Sequence, residues 1–344
     1  MKNNPLHILT NGWGERFLTE ISHGWKNGFQ VTTLWKDLRE EYNDYTSFLK
    51  LRKYWNHFPL VHMNCWFDIF YLFRRHKENK IIFESHALHP GLSNMYARKI
   101  IESPRIRMMV RVFWWAFNFL FRRNIKNVDI YLVSTPGFLE SAKKIRSDAV
   151  WLPNPVYMPE TIQRINTLSL NGEYVNIFYP TGLRSIKNPK AAFELIMHLK
   201  EIYKDIRIYI FRPSMIPFSL KDEFYKLEKN IVWLESADQV TMRKYYSHDW
   251  DLVIWSLYWE KPYAILNMVE LEAMAYSLPI IAIDHYEILK YSLAEIETLS
   301  KKLINDQEFR RRYTEKNLAY IQEIHSSHRV RKKYISLLKT CILP

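Results

Sequence analysis

The chain has 344 residues, 48% of them hydrophobic, which is enough to bury two α/β cores. Lys and Arg total 49 against 36 acidic residues; the net charge of +13 suits an anionic partner (nucleotide phosphates, an acidic membrane face or nucleic acid) without choosing among them. Its two cysteines, Cys65 and Cys341, exclude a disulfide framework or a metal cluster and make a reducing, cytoplasmic compartment the default. Met1 to Pro5 is polar and the apolar run Leu6 to Leu9 is too short for a signal peptide.

Short β-rich runs alternate with helical stretches along the chain, the pattern of parallel sheets. The predicted strands of the first half are Leu6–Thr10, Gln30–Leu34, Leu60–Met63, Ile81–Glu84, Asp129–Val133 and Ala149–Leu152. Those of the second half are Val175–Tyr179, Ile206–Phe211, Ile231–Leu234, Leu252–Trp255 and Ile280–Ile283. They imply two doubly wound sheets. Pro153 to Tyr174, with three prolines and the turn pair Asn171-Gly172, reads as the linker between them. The expected domains are therefore 1–160 and 173–320, with 321–344 a C-terminal helix returning to the first domain.

The most membrane-like segment is Met108 to Phe121, flanked by Arg105, Arg107, Arg122 and Arg123. Its fourteen residues include Arg111 and fall short of the roughly 20 that a span needs. Trp114, Phe117 and Phe121 share a face at helical spacing, which favours core packing before the strand at Asp129; a peripheral contact with the inner membrane face is the other reading.

Ligands of doubly wound folds bind beyond the carboxyl ends of the strands, so the residues after each strand are the ones to examine. Asn11-Gly12-Trp13-Gly14-Glu15-Arg16 follows the first strand and suits either an anion at a helix N-terminus or a plain βα turn. After the fourth strand, His86 and His89 are placed to meet a substrate hydroxyl or to be ordinary loop histidines. In the second half, Arg184 and Lys187 project from a loop before a helix that Asn188 can cap and Pro189 can start. There they can hold a diphosphate and stabilise its charge as a leaving group, or form a solvated basic loop. Ala192, Leu195, Ile196, Leu199 and Ile202 form that helix's apolar face. Last, Glu270 and Glu272 open a helix whose first turn favours a carboxylate, and a carboxylate there can accept both hydroxyls of a ribose.

These residues resemble a family. Leu271-Glu272-Ala273-Met274-Ala275 followed by Leu278-Pro279-Ile280-Ile281-Ala282 resembles the LEAMA-x-G-x-P-V-I-A signature of the retaining family 4 glycosyltransferases. Gly14-Glu15-Arg16 is similar to the family's G-x-E-R turn, Leu152 to Val156 to its interdomain V-x-P-N-P, and Thr181 to Asn188 to its G-L-R-x-x-K-N donor loop. The resemblance implies the GT-B fold: two Rossmann-like doubly wound parallel-sheet α/β domains facing a cleft. It implies a hexosyltransferase that moves sugar from a nucleotide-diphosphate sugar to a glycan, glycolipid or protein acceptor with retention. No cofactor and no obligatory metal is expected, and no nucleic-acid partner. At matching positions, Arg184 and Lys187 contact the donor diphosphate, Glu272 the ribose, Gly14 the phosphates, and His86 lines the sugar site.

The chain departs from the family pattern at defined places. The family has a second glutamate eight positions before the ribose glutamate, where this chain has Ala264. Glu260, in the E-x-P-F-like run Trp259 to Tyr263, takes that role if twelve positions separate the two glutamates. Ser277 stands for a glycine and His285-Tyr286 for a glycine pair. Two alternative functions stand beside the transferase: a GT-B sugar-nucleotide epimerase, which would bind a similar donor but need acid/base carboxylates in the cleft, and, because of Ala264, a catalytically silent nucleotide-sugar-binding protein.

Overall fold

The computed structural model describes residues 7–10, 17–21, 30–33, 58–63, 80–85, 115, 119–162, 174–183, 189–213, 220–257, 268–284 and 293–342. The chain divides into two compact units, Met1–Pro155 with Ser327–Pro344, and Val156–Ser326.

The first unit holds a six-stranded parallel sheet: β1 (His7–Thr10), β2 (Gln30–Thr33), β3 (Leu60–Met63), β4 (Lys80–Ser85), β5 (Ile130–Val133) and β6 (Val150–Trp151). Their order is β2-β1-β3-β4-β5-β6, so the direction of winding reverses between β1 and β3. Strands buried on both faces need apolar residues at nearly every position, and β3 and β5 are buried throughout. On one face Ile8, Leu60, Ile82, Ile130 and Leu132 pack against helical residues 17–21 and the C-terminal helix. On the other face Phe121 is buried, its ring 5.6 Å from Phe83 and 6.3 Å from Tyr131. The end of the aromatic segment thus packs in the core, while Trp115 and Phe119 stay 73% and 59% exposed. Trp114 and Phe117 lie outside the described residues. After β5, Pro136 at the first helical position starts α1 (Pro136–Lys143).

The second unit has a five-stranded parallel sheet of β7 (Val175–Tyr179), β8 (Ile206–Phe211), β9 (Ile231–Leu234), β10 (Leu252–Leu257) and β11 (Ile280–Asp284). Read from one edge the order is β9-β8-β7-β10-β11, the Rossmann arrangement, with its reversal between β7 and β10. Helices α2 (Pro189–Ile202), α3 (Lys221–Leu227), α4 (Gln239–Tyr246) and α5 (Met268–Ala275) connect the strands, and α6 (Leu293–Asn305) and α7 (Gln307–Tyr320) follow. Ala192, Leu195, Ile196 and Leu199 of α2 are buried as their spacing predicts, whereas Ile202, its last residue, is 45% exposed. The carboxylates of Asp238 and Asp306 accept from the backbone N–H of Thr241 and Phe309, each at 2.8 Å, and so cap α4 and α7. A π-turn, Ile321–His325, ends α7, and a parallel bridge pairs Val156 with Ser326 at the two ends of the unit. The C-terminal helix α8 (Ser327–Ile342) then places Val330, Tyr334 and Leu338 in the first unit's core.

Candidate functional site

The second sheet's reversal point is where its two central strand ends part to make a ligand crevice. β7 ends at Tyr179 and runs through Thr181, Gly182 and Leu183 to the segment that carries Arg184 and Lys187. β10 ends at Leu257, before the segment that carries Glu260 and Ala264. Arg184, Lys187, Glu260 and Ala264 themselves lie outside the described residues, as do Gly14 and His86.

Two features mark the strand ends. Gly182 has φ +69°, and a β-carbon placed on it would meet nothing within 4 Å among the described residues. A φ of this sign is one that glycine adopts without the strain a side chain would meet. Beside it the hydroxyls of Tyr179 and Ser256 hydrogen-bond at 3.0 Å across β7 and β10, both buried. Burial pushes the Tyr179 phenol upward, and its hydrogen bond with Ser256 partly offsets this. The pair ties the two central strand ends by a side-chain contact besides the backbone ladder, whose register sets Leu252 opposite Ile177. On the opposite face of β10, the indole N–H of buried Trp255 has no acceptor among the described residues.

Glu272 is half-buried on α5. The structure corrects one part of the sequence argument. The first-turn carboxylate of α5 is Glu270, while Glu272, two residues on, lies past that turn, so the dipole argument belongs to Glu270. Glu270 is buried, and its charge adds to the burial that raises the Tyr320 phenol. Sequence reading missed Glu270 as a buried charge because it alternates with apolar residues as a solvent-facing residue would.

At the first unit's carboxyl edge the buried polar residues are His62, Glu84, Ser85, Ser134 and Thr135. The carbonyl of Ser85 accepts from Ser134 N–H at 3.3 Å, which closes the end of β4 onto β5. His62 and Glu84 escaped the sequence reading because a polar residue within a four- to six-residue strand looks like its wet face. Their signal is position, on central strands, with Val61 and Met63 flanking His62 and Phe83 preceding Glu84.

Two doubly wound parallel sheets, a six-stranded one with its reversal at β1/β3 and a Rossmann-ordered five-stranded one, make this a GT-B fold. No protein-family model matches the chain, and no curated protein does. Solved structures do. A trehalose-6-phosphate synthase, studied for glycosyl transfer with retention, superposes at a TM-score of 0.64 with 14% identity over 98% of this chain and 99% of its own. WaaG, a glycosyltransferase of lipopolysaccharide biosynthesis, gives 0.60 with 10% identity over 96% and 99%. TarM of S. aureus, solved with UDP, fondaparinux and α-GlcNAc-glycerol, gives 0.58 with 12% identity over 81% of this chain. This chain spans about half of TarM's length, 55% of it, and 57% of the pneumococcal O-GlcNAc transferase GtfA.

Proposed function

We propose that this chain is a glycosyltransferase that takes a sugar from a nucleotide-diphosphate donor held by the second domain and passes it to a glycan, glycolipid or protein acceptor with retention of configuration. The observation that carries the reading is the β7/β10 reversal point. From its two strand ends depart the segments with Arg184 and Lys187 on one side and Glu260 on the other, and Gly182, at positive φ, stands between β7 and the basic segment. Helix α5, with half-buried Glu272, follows the second of these segments. In this reading Glu272 takes the ribose, Arg184 and Lys187 meet the diphosphate, and Gly14 and His86 serve the donor phosphates and the sugar from the first domain.

The chemistry needs no metal. Departure of the diphosphate leaves negative charge on its terminal oxygens, and a guanidinium and an ammonium already in place stabilise that charge without reorganising. The leaving diphosphate oxygen can then take the acceptor's proton as the acceptor attacks the same face.

Thermal denaturation with a panel of nucleoside diphosphates and nucleotide sugars tests the reading. A ligand at about 100 times its Kd stabilises by ~2.7 kcal/mol, a rise of roughly 5–10 °C in Tm. No rise with any nucleotide would refute donor binding. Where donor hydrolysis is measurable, Arg184→Ala and Lys187→Ala should each lower it roughly a hundredfold, the usual cost of losing one preorganised charge-stabilising group. Ala264, where the family's second glutamate would stand, favours a second reading: a nucleotide-sugar-binding protein without turnover. Glu260→Ala separates the two. It should abolish turnover while donor binding survives; binding with no turnover even in the unmodified protein would select the silent reading.

A further inference from the structure

One stretch of the first unit keeps on its surface the large apolar side chains that folding usually hides. Trp115 is the most exposed large apolar side chain among the described residues, and Phe119 lies four positions on. The other exposed ones, Ile202, Tyr225, Val240 and Tyr320, stand singly on four different helices, as scattered surface residues do. Trp115 and residues 119–124 are helical. Exposure follows the helical period: Trp115, Phe119, Arg122, Arg123 and then Lys126 are exposed, whereas Phe121, Asn124 and Ile125 are buried.

The buried side is anchored. The Phe121 ring meets those of Phe83 and Tyr131, and the Arg146 guanidinium donates to the carbonyl of Ile125 at 3.2 Å. Two rings and three cations are thereby presented together. The sequence offers these cations no local carboxylate, since no Asp or Glu occurs from Ser103 to Val128. A solvated charged face of this protein is built differently. On α7, Arg311 pairs with Glu308 at 2.8 Å and with Glu315 at 2.9 Å.

The combination selects a partner. At a bilayer surface Trp and Phe enter the boundary between headgroups and acyl chains, while Arg and Lys meet anionic headgroups. A single-stranded nucleic acid would use the cations, but it takes stacking rings from within a groove, not from the outer side of a packed helix. Among the described residues no helix is long and apolar enough to cross a membrane. A helix packed on a sheet along one side suits lying along a surface.

We propose that Trp115, Phe119, Arg122, Arg123 and Lys126 form a surface that docks the first unit on an anionic lipid bilayer. The docking stands apart from the transfer reaction and does not depend on it.

Sedimentation of the full-length protein with phosphatidylcholine vesicles, with and without about 30% phosphatidylglycerol, tests it. The wild type should prefer the anionic vesicles roughly a hundredfold, since each of three basic side chains contributes about fivefold. The preference should vanish at about 1 M salt, where charges are screened beyond about 3 Å. Arg122→Gln, Arg123→Gln and Lys126→Gln together should abolish it. Arg311→Gln, Arg312→Gln and Lys316→Gln take the same charge from α7 and should leave it within about twofold. Trp115→Ser with Phe119→Ser should weaken binding roughly ten- to a hundredfold with the cations intact. All these side chains are exposed, so each variant should keep the wild-type urea transition, and Trp115→Ser alone serves if a combined variant does not fold. A wild type that stays unbound by phosphatidylglycerol vesicles would overturn the proposal, as would unchanged binding without the two rings. Equal losses in the two charge variants would also overturn it, by tracing the attraction to the overall +13 charge. Self-association of the wild type without vesicles, abolished by Trp115→Ser with Phe119→Ser, would assign the surface to a second copy of the chain instead.

Discussion

At the scale of single residues, the end of α5 shows a cost that only the backbone reveals. Ser277 sits at φ 52°, its N–H bonded to the carbonyl of Met274 at 2.9 Å, and Leu278 N–H bonded to that of Ala273 at 3.0 Å. That is a Schellman stop, and the left-handed position at its centre suits glycine; an L-residue there costs roughly 1 kcal/mol. Ser277→Gly should therefore raise unfolding free energy by about 0.5–1 kcal/mol in urea titration, and Ser277→Val, β-branched at positive φ, should lower it. The departure from glycine was visible in the sequence, but its meaning was not, because a positive φ leaves no mark in one sequence. The same holds for the site. Basic and acidic residues after the strands were readable as ligands for a diphosphate and a ribose, yet which of Glu270 and Glu272 occupies the first turn of α5 depended on where that helix begins.

At the scale of elements, the strands were readable because each is a short β-branched and aromatic run between turn residues. Ile81–Glu84 was expected and Lys80–Ser85 is found; Ala149–Leu152 shortens to Val150–Trp151 at the sheet edge, where pairing has one side only. Strand order was not readable, since crossovers are set by helix packing, and neither was what holds the approach to β5. There the Arg146 guanidinium donates to the carbonyls of Ile125, Val128 and Asp129 and pairs with Asp148. Arg146→Met keeps the stem and removes these bonds, so it should destabilise by roughly 2–3 kcal/mol, as charged donors to backbone do. Asp148→Asn should change stability by less than about 1 kcal/mol, because its side chain is 62% exposed and solvent screens the pair. The hydrogen bond from Arg146 holds the Asp148 carboxyl below its ordinary value. Its small contribution is therefore complete above the unfolded carboxyl pKa and fades as pH falls through the lowered one. Comparing wild type and Asp148→Asn by urea titration should show their difference shrinking only at acid pH.

At the scale of the whole molecule, the two units differ in how the chain supplies them. The second is one continuous segment, Val156–Ser326, with its own apolar core between the sheet and α2, α3 and α6. The first needs both 1–155 and 327–344, because Val330, Tyr334 and Leu338 come from α8 and fill the face above β1, β3 and β4. Removing α8 forfeits the burial of three large side chains, about 1.5–3 kcal/mol each, and takes Tyr334 from His62 beside the Glu84 carboxylate. Leaving the buried imidazole without that hydrogen bond adds roughly 1–3 kcal/mol. Together these match the ~5–15 kcal/mol that a whole domain has to lose. A 156–326 fragment should accordingly unfold in one cooperative urea transition and bind nucleoside diphosphate within about tenfold of the full chain, provided the donor is held mainly there. A 1–155 fragment should lack a cooperative transition by circular dichroism, and a peptide of residues 327–344 added in trans should restore one. A cooperative fold of 1–155 alone would mean that Val330, Tyr334 and Leu338 cover the first domain's core without being needed to complete it.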